Sequence, residues 1–328
     1  MKQLATSNAS RIAIAVLVIA LIFIASLSLG ATRIPSLFSV LTHPFSTMEG
    51  SEIVWQIRFP RALAALCAGA ALGIAGLLAQ GALSNPLAEP SIIGASAGAA
   101  LATVIGVLVG VASIGSVSAF ICAVVGAAAA TYAVTALARK SGRFSSLKLI
   151  IIGFSLSAAL TAIVALLTSI VSRADARSIS FWSFGSLALA GLDDALLILA
   201  VLVIVALVVP RKIDDLDVMS LGDLRARLLG INVEHARLRS LVLMSLLVGA
   251  VVSTIGNIAF LALVAPHIAR FIVGPRHKRL IAASAYIGAV ILLISDLAAR
   301  IIAPPHELNV GLFTALLGAP ILIWLVKR

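Results

Sequence analysis

Charge is what this sequence has least of. Asp, Glu, Lys and Arg make up 11% of its 328 residues, where an ordinary soluble domain carries roughly a quarter. A water-facing surface cannot be built from so few charges, which excludes a soluble enzyme. Acids are scarcer still, 13 against 24 bases, and nearly all fall between apolar runs or at their ends. No run carries the carboxylate or histidine chain that a proton-driven pump places at mid-membrane. The two cysteines, Cys67 and Cys122, sit inside apolar runs and read as small buried side chains without a disulfide role. The five histidines are isolated, so no metal-ligand spacing appears. No G-x-x-x-x-G-K-[ST] loop occurs, so the chain has no phosphate cradle of its own. Nor does a nucleophile–base arrangement stand out, and no catalytic residue is assigned.

What is abundant is apolar sequence, 61% of the chain. It comes in continuous runs, which excludes the alternating pattern of a transmembrane barrel. Charge-poor runs lie near 12–30, 62–79, 92–111, 115–138, 148–171, 192–209, 240–256, 258–273, 280–298 and 311–326. Segments of ~20 residues cross a ~30 Å hydrocarbon layer. The expected fold is therefore all-α: one polytopic membrane domain over 1–328, with ten transmembrane helices and a longest connection at 210–239. The first run, Ile12 to Gly30, is longer than a signal-peptide core and reads as a span. With the N-terminus inside, seventeen of the 24 basic residues fall on the inner face and six on the outer, with Arg270 inside the eighth run. The formal +11 charge thus orients the chain, with both termini cytoplasmic, and is no nucleic-acid footprint.

Residues 65–94 match 245–274 at ten of 30 positions, among them Gly69/Gly249, Gly76/Gly256 and Pro86/Pro266. The matched runs are the second and seventh. They point in opposite directions, as in the inverted repeats of many transporters. Shared small-residue helix packing is the other source of such matches. The same packing explains Gly69, Gly73 and Gly76, and the run from Gly94 to Ala99, better than a dinucleotide fingerprint does, because no strand precedes them.

Three constellations carry functional expectations. Asn85-Pro86-Leu87-Ala88-Glu89-Pro90 joins the second and third runs on the inner side, and its two prolines stiffen the turn. It reads either as a constriction of a pathway or as a rigid interhelical loop, with Gln80 lining the pathway or satisfying the broken backbone. Ser220-Leu221-Gly222-Asp223 has the form of a capping box. Leu221, Leu224 and Leu228 follow at helical spacing, with Arg225 and Arg227 flanking and Gly230 as a stop. That helix docks in a soluble partner or packs on its own protein. On the outer side Arg58, Arg61 and Arg300, the last one turn after Asp296, pair with acids of an external partner or anchor at headgroups. A pathway without an engine of its own points to a transport subunit driven by another chain. An ion-coupled secondary carrier is the competing class.

Several stretches together resemble one family, the FecCD-type permeases of ABC importers for ferric siderophores, haem and cobalamin. They are R-F-P-R at 58–61, Q-G at 80–81, N-P-L-A-E-P at 85–90, G-A-S-A-G-A at 94–99, W-S-F-G-S-L at 182–187, S-L-G-D-L-R-A-R-L-L-G-I at 220–231 and A-P-H-I-A-R at 265–270. V-G-P-R-H-K-R at 273–279, S-D-L-A-A-R at 295–300 and E-L-N-V-G-L-F-T-A-L-L-G-A-P at 307–320 complete the ordered set. The resemblance implies ten spans in a bacterial cytoplasmic membrane, with a second permease subunit, a second copy of this chain, around a central pathway. It implies two cytoplasmic ATPase subunits that hold ATP and Mg, so no cofactor in this chain, and an extracytoplasmic substrate-binding protein. By matching position, Ser220, Leu221, Gly222, Asp223, Leu224, Arg225, Ala226, Arg227, Leu228, Leu229 and Gly230 form the coupling helix that meets the ATPase. Gln80, Asn85, Pro86 and Leu87 belong to the inner gate, with Ser145 and Ser146 as a second gate. Phe181 to Leu187, with Phe181, Trp182, Gly185 and Ser186, form a short outer-gate helix. Arg58, Arg61 and Arg300 meet acids on the binding protein. Asn309 stands where the family usually has proline, and Arg276 where it usually has aspartate.

Overall fold

The computed structural model describes residues 8–30, 32, 34, 37–42, 50–140, 143–144, 146–302 and 307–326. The helices are α1 (Asn8–Ser28), α2 (Leu37–Thr42), α3 (Phe59–Ala82), α4 (Ala95–Leu108), α5 (Val117–Ala138), α6 (Ser146–Ser169), α7 (Arg173–Ser183), α8 (Leu192–Val208), α9 (Asp214–Met219), α10 (Asp223–Leu228), α11 (Val233–Ile255), α12 (Leu261–Val273), α13 (His277–Ile301) and α14 (Val310–Val326). A π-helical turn, Ile53–Arg58, leads into α3. Two residues of β1 (Arg139–Lys140) pair antiparallel with β2 (Arg143–Phe144).

A helix fulfils its backbone hydrogen bonds internally, which is why apolar runs become helices in hydrocarbon. Six stretches among the described residues are long and apolar enough to cross a bilayer: 53–82, 117–138, 148–169, 192–211, 233–255 and 277–301. The runs at 92–111 and 258–273 give shorter helices, since α4 has 14 residues and α12 has 13. At 1.5 Å per residue each is about 20 Å tall, less than a ~30 Å hydrocarbon core.

Helix α3 is the central post. It packs on α8, α11, α12 and α13, and nearly all its residues are buried. Its glycines allow this. A β-carbon at Gly69 would collide with the Gly288 carbonyl, one at Gly73 with the Ser284 carbonyl, and one at Gly76 with the Ala262 carbonyl. These are backbone-to-backbone crossings, the use of small residues expected between membrane helices. Gly73→Leu is therefore expected to drive α3 from α13 at a cost of roughly 1–3 kcal/mol or more. A monodisperse gel-filtration peak at wild-type yield would refute it.

The break expected between the seventh and eighth runs is present. α11 ends at Ile255, and Gly256 takes φ 77° against the Trp182 carbonyl, where no side chain fits. The chain restarts at Phe260, left-handed at φ 63°. The Phe260 N–H donates to Glu89 Oε1 at 2.7 Å, so the 83–94 loop holds the start of α12.

Candidate functional site

α3 has 24 residues, about 36 Å at 1.5 Å per residue, so its two ends mark opposite faces of the bundle. At its C-terminal end the chain turns at Ser84, φ 47°. Asn85 Oδ1 accepts the Leu87 N–H at 2.9 Å, an Asx turn that sets the Asn85-Pro86 corner. Pro86 is exposed and Leu87 half-buried, while Ala88, Glu89 and Pro90 are buried. Buried Gln80 donates from Nε2 to the Leu263 carbonyl at 3.3 Å and accepts at Oε1 from Arg270. Gln80 thus satisfies α12 across the break. A cavity of about 370 Å³ opens here, with Gln80, Asn85, Pro86, Arg270 and His277 in its wall. Ser145 lies outside the described residues, and Ser146 begins α6.

The connection from α8 to α11 is more structured than a 210–239 loop. It holds a 3-10 turn (Val209–Arg211), α9 and α10, and α11 already starts at Val233. The capping expectation is corrected. Ser220 closes α9, with its N–H on the Leu216 carbonyl and its Oγ donating to the Asp217 carbonyl at 2.6 Å. Gly222, at φ 101°, precedes α10, and Asp223 is its first residue. Serine is committed to the helix before, so glycine makes the reversal.

The stop falls at Gly230 as the spacing predicts. The Gly230 N–H bonds the Arg227 carbonyl and the Ile231 N–H the Ala226 carbonyl, a Schellman ending at φ 85°. Ala226 faces the bundle and is fully buried, whereas Leu221, Leu224, Leu228 and Leu229 are 53–80% exposed. Arg225 is exposed too, and Arg227 meets Glu234 at 3.4 Å with both side chains over half exposed, a pair worth little. The chain itself leaves this leucine face uncovered.

At the N-terminal end of α3 the three arginines are held within the chain. Arg58, Arg61 and Arg300 are each at most 7% exposed. Arg58 Nη1 donates to the Leu27 and Ser28 carbonyls at 2.9 and 2.7 Å, and Nη2 to that of Thr32. Arg300 donates to the Ser26 carbonyl and hydroxyl. The last carbonyls of α1 have no partner within their own helix, and positive charge at a helix C-terminus is favourable. Arg61 Nε meets Asp296 Oδ1 and Arg61 Nη1 meets Glu307 Oε2, both at 2.8 Å. Arg300 Nη2 lies 3.2 Å from Asp296 Oδ2. Guanidiniums at this burial require such partners. They knit α1, α3 and α13 together, and none is turned outward as a free charge.

The short outer helix is also corrected. α7 spans Arg173–Ser183, with half-buried Phe181 and buried Trp182 in its last turn, and Gly185 ends it at φ 76°. Gly185 and Ser186 fall in the following turn. The Ser186 N–H donates to the Ile255 carbonyl at 2.8 Å, and the Gly311 N–H to that of Gly185 at 3.2 Å. Asn309 Nδ2 donates to the Phe181 carbonyl at 3.2 Å, a bond that proline there could not make. Arg177, Phe181, Trp182, Ser186 and Asp194 border a cavity of about 400 Å³.

Residues 16–328 match the model of the FecCD transport family. The chain is 34% identical to the hemin transport system permease protein of Yersinia pestis over 94% of each chain. It is 37% identical to the vitamin B12 import system permease protein of Vibrio cholerae, over 87% of this chain and 86% of that one. With the iron(3+)-hydroxamate import system permease protein of Bacillus subtilis it shares 34% identity over 96% of each. Among solved structures, a metal-chelate type ABC transporter in an inward-facing conformation superposes with a TM-score of 0.83 at 28% identity, over 98% of this chain and 99% of that one.

Proposed function

The chain belongs to the FecCD transport family, and from that membership and the geometry of its two ends we propose that it is the permease subunit of an ATP-driven importer. The cargo is a metal chelate of the haem, cobalamin or ferric-hydroxamate kind, the classes named for its relatives. The reading takes the α10 end as cytoplasmic, following the basic residues around it. Two cytoplasmic ATPase subunits bind ATP and Mg, and an extracytoplasmic protein delivers the cargo. A second copy of this chain completes the pathway in a bacterial cytoplasmic membrane. One observation carries the reading most: a short helix that hides its alanine and exposes its leucines, as a groove-docking helix does.

Ten spans in two inverted halves belong to the same proposal. The packing supports it, since α3 lies on α13 as α11 lies on α5, and α4 on α5 as α12 on α13. Under this reading ATP binding moves α10, and the two permease copies rock so that the pathway faces the two sides in turn. The 83–94 loop and the cavity under it form the inner mouth.

The test is uptake into proteoliposomes holding the chain with its ATPase and binding protein. Haem, cobalamin and a ferric hydroxamate are offered side by side. At least one should enter only with Mg-ATP, and ionophores that collapse ion gradients should leave its entry unchanged. Uptake by the chain alone on an ion gradient would make it a secondary carrier and end the proposal.

A further inference from the structure

The leucine-bearing helix is tied to the rest of the chain by few polar contacts, and one of them is deeply buried. Arg237, in the second turn of α11, is 6% exposed. Its Nε donates to the Ala82 carbonyl at 2.8 Å, and its Nη2 to Asp223 Oδ1 and Oδ2 at 2.9 and 3.1 Å. Ala82 is the last residue of α3, and its carbonyl is one of those a helix end leaves unbonded. Asp223 is the first residue of α10. One planar guanidinium therefore joins α10 to the point where α3 gives way to the 83–94 loop.

The other ties differ in kind: α10's own Arg227–Glu234 pair is exposed, Arg239 holds Asp215 of α9 at 3.2 Å, and two further contacts also reach α9. Ser84 Oγ donates to the Met219 carbonyl at 3.2 Å, a neutral bond at an exposed residue. Asp217 accepts the His277 N–H at 3.0 Å and lies 2.6 Å from its Nδ1, which pins α9 to α13 and not to the loop. The Arg237 bridge is charge-assisted, and such bonds are roughly twice as strong as neutral ones. Its fork fixes two acceptors in one plane. Pulling α10 away from the end of α3 would strand a buried charge, so the two elements move together.

Resting on the reading of α10 as the ATPase contact, we propose that Arg237 is the positioning residue that delivers the displacement of α10 to the inner-mouth loop. The Ala82 side is dry and the Asp223 carboxylate is 39% exposed. The bridge is therefore anchored on α3 and driven from α10. Lysine at 237 keeps the charge but cannot hold both acceptors in one plane.

The test measures cargo transported per ATP hydrolysed by the complete complex in proteoliposomes, the cargo being whichever of haem, cobalamin and the ferric hydroxamate the unaltered complex takes up. Arg237→Met and Arg237→Lys should assemble with the ATPase and still hydrolyse ATP, while the ratio falls about tenfold for Met and less for Lys. Asp223→Asn should lower it in the same direction, and adding Arg237→Met to Asp223→Asn should give no more than Arg237→Met alone. A fluorophore on Pro86→Cys should respond to ATP with Arg237 in place and fall silent with Met. An unchanged ratio with a responsive probe overturns the proposal. So does a parallel fall of hydrolysis and transport, the mark of a merely structural residue. If Arg237→Met does not fold, Asp223→Asn decides alone, and an unchanged ratio there is refutation. Failure of the importer reading is visible separately, as absent ATP-driven transport by the unaltered complex, and removes both.

Discussion

Leu224→Asp combined with Leu228→Asp is expected to leave the chain folded and inserted, yet to abolish its co-purification with the ATPase and cargo-stimulated hydrolysis. The two side chains are 74% and 80% exposed, so the chain loses no internal packing when they change. The inward contact is made by Ala226, and the ends of α10 are set by Gly222 and by the bonds at Gly230 and Ile231. A leucine buried against a partner contributes about 1.5–3 kcal/mol. Two of them account for about 3–6 kcal/mol, a factor of ~10² to 10⁴ in affinity, before the cost of desolvating two carboxylates. Arg227→Ala serves as the contrast, because the loose Arg227–Glu234 pair is exposed and its loss should change affinity by less than about 1 kcal/mol. Undiminished co-elution of the double variant would show that the leucine face meets something else.

The places of the helices were legible because hydrocarbon tolerates little else: apolar runs without charge must close their own backbone bonds. The stop at Gly230 and the stripe of Leu221, Leu224 and Leu228 were legible because helical spacing and a C-terminal glycine are local signals, but which way the stripe faces was not. What stayed hidden was where backbones turn within an apolar run. Gly94 and Phe260 take left-handed φ and delay the starts of α4 and α12 within their runs, but hydropathy registers both as ordinary apolar positions. Helix α9 was hidden by its own Asp214-Asp215-Leu216-Asp217, which reads as loop, and so Ser220 looked like a beginning instead of an end.

The charged residues divide in the same way. Asp296 and Arg300 are one turn apart, a spacing visible in the sequence, although the bond between them was not read from it. Arg58 caps a helix that ends 30 residues earlier, Arg61 finds Asp296 across 235 residues, and Arg237 finds Ala82 across 155. No periodicity links such distances, so those arginines looked like loose outer or inner charges until the bundle closed around them.

Asp296→Asn is expected to lower the stability of the detergent-solubilised protein by about 3–5 kcal/mol, the usual consequence of removing one partner from a buried ion pair. Asp296 is fully buried, and two guanidiniums, of Arg61 and Arg300, share its carboxylate. Asparagine preserves the shape and an acceptor but removes the compensating charge. Arg61 would keep Glu307, whereas Arg300 would keep only the neutral acceptors of Ser26. Glu307→Gln should cost far less, since that side chain is 43% exposed and water takes its place. The decisive comparison is Asp296→Leu with Arg300→Met. It removes one charge of each sign, leaves Arg61 with Glu307, and should melt above Asp296→Asn because no buried charge is stranded. Melting followed by tryptophan fluorescence gives the order wild type, double variant, Asp296→Asn. If Asp296→Asn melts with wild type, the buried cluster is not a charge-balanced unit. If the double variant melts below it, the energy lies in shape and hydrogen bonding and not in charge.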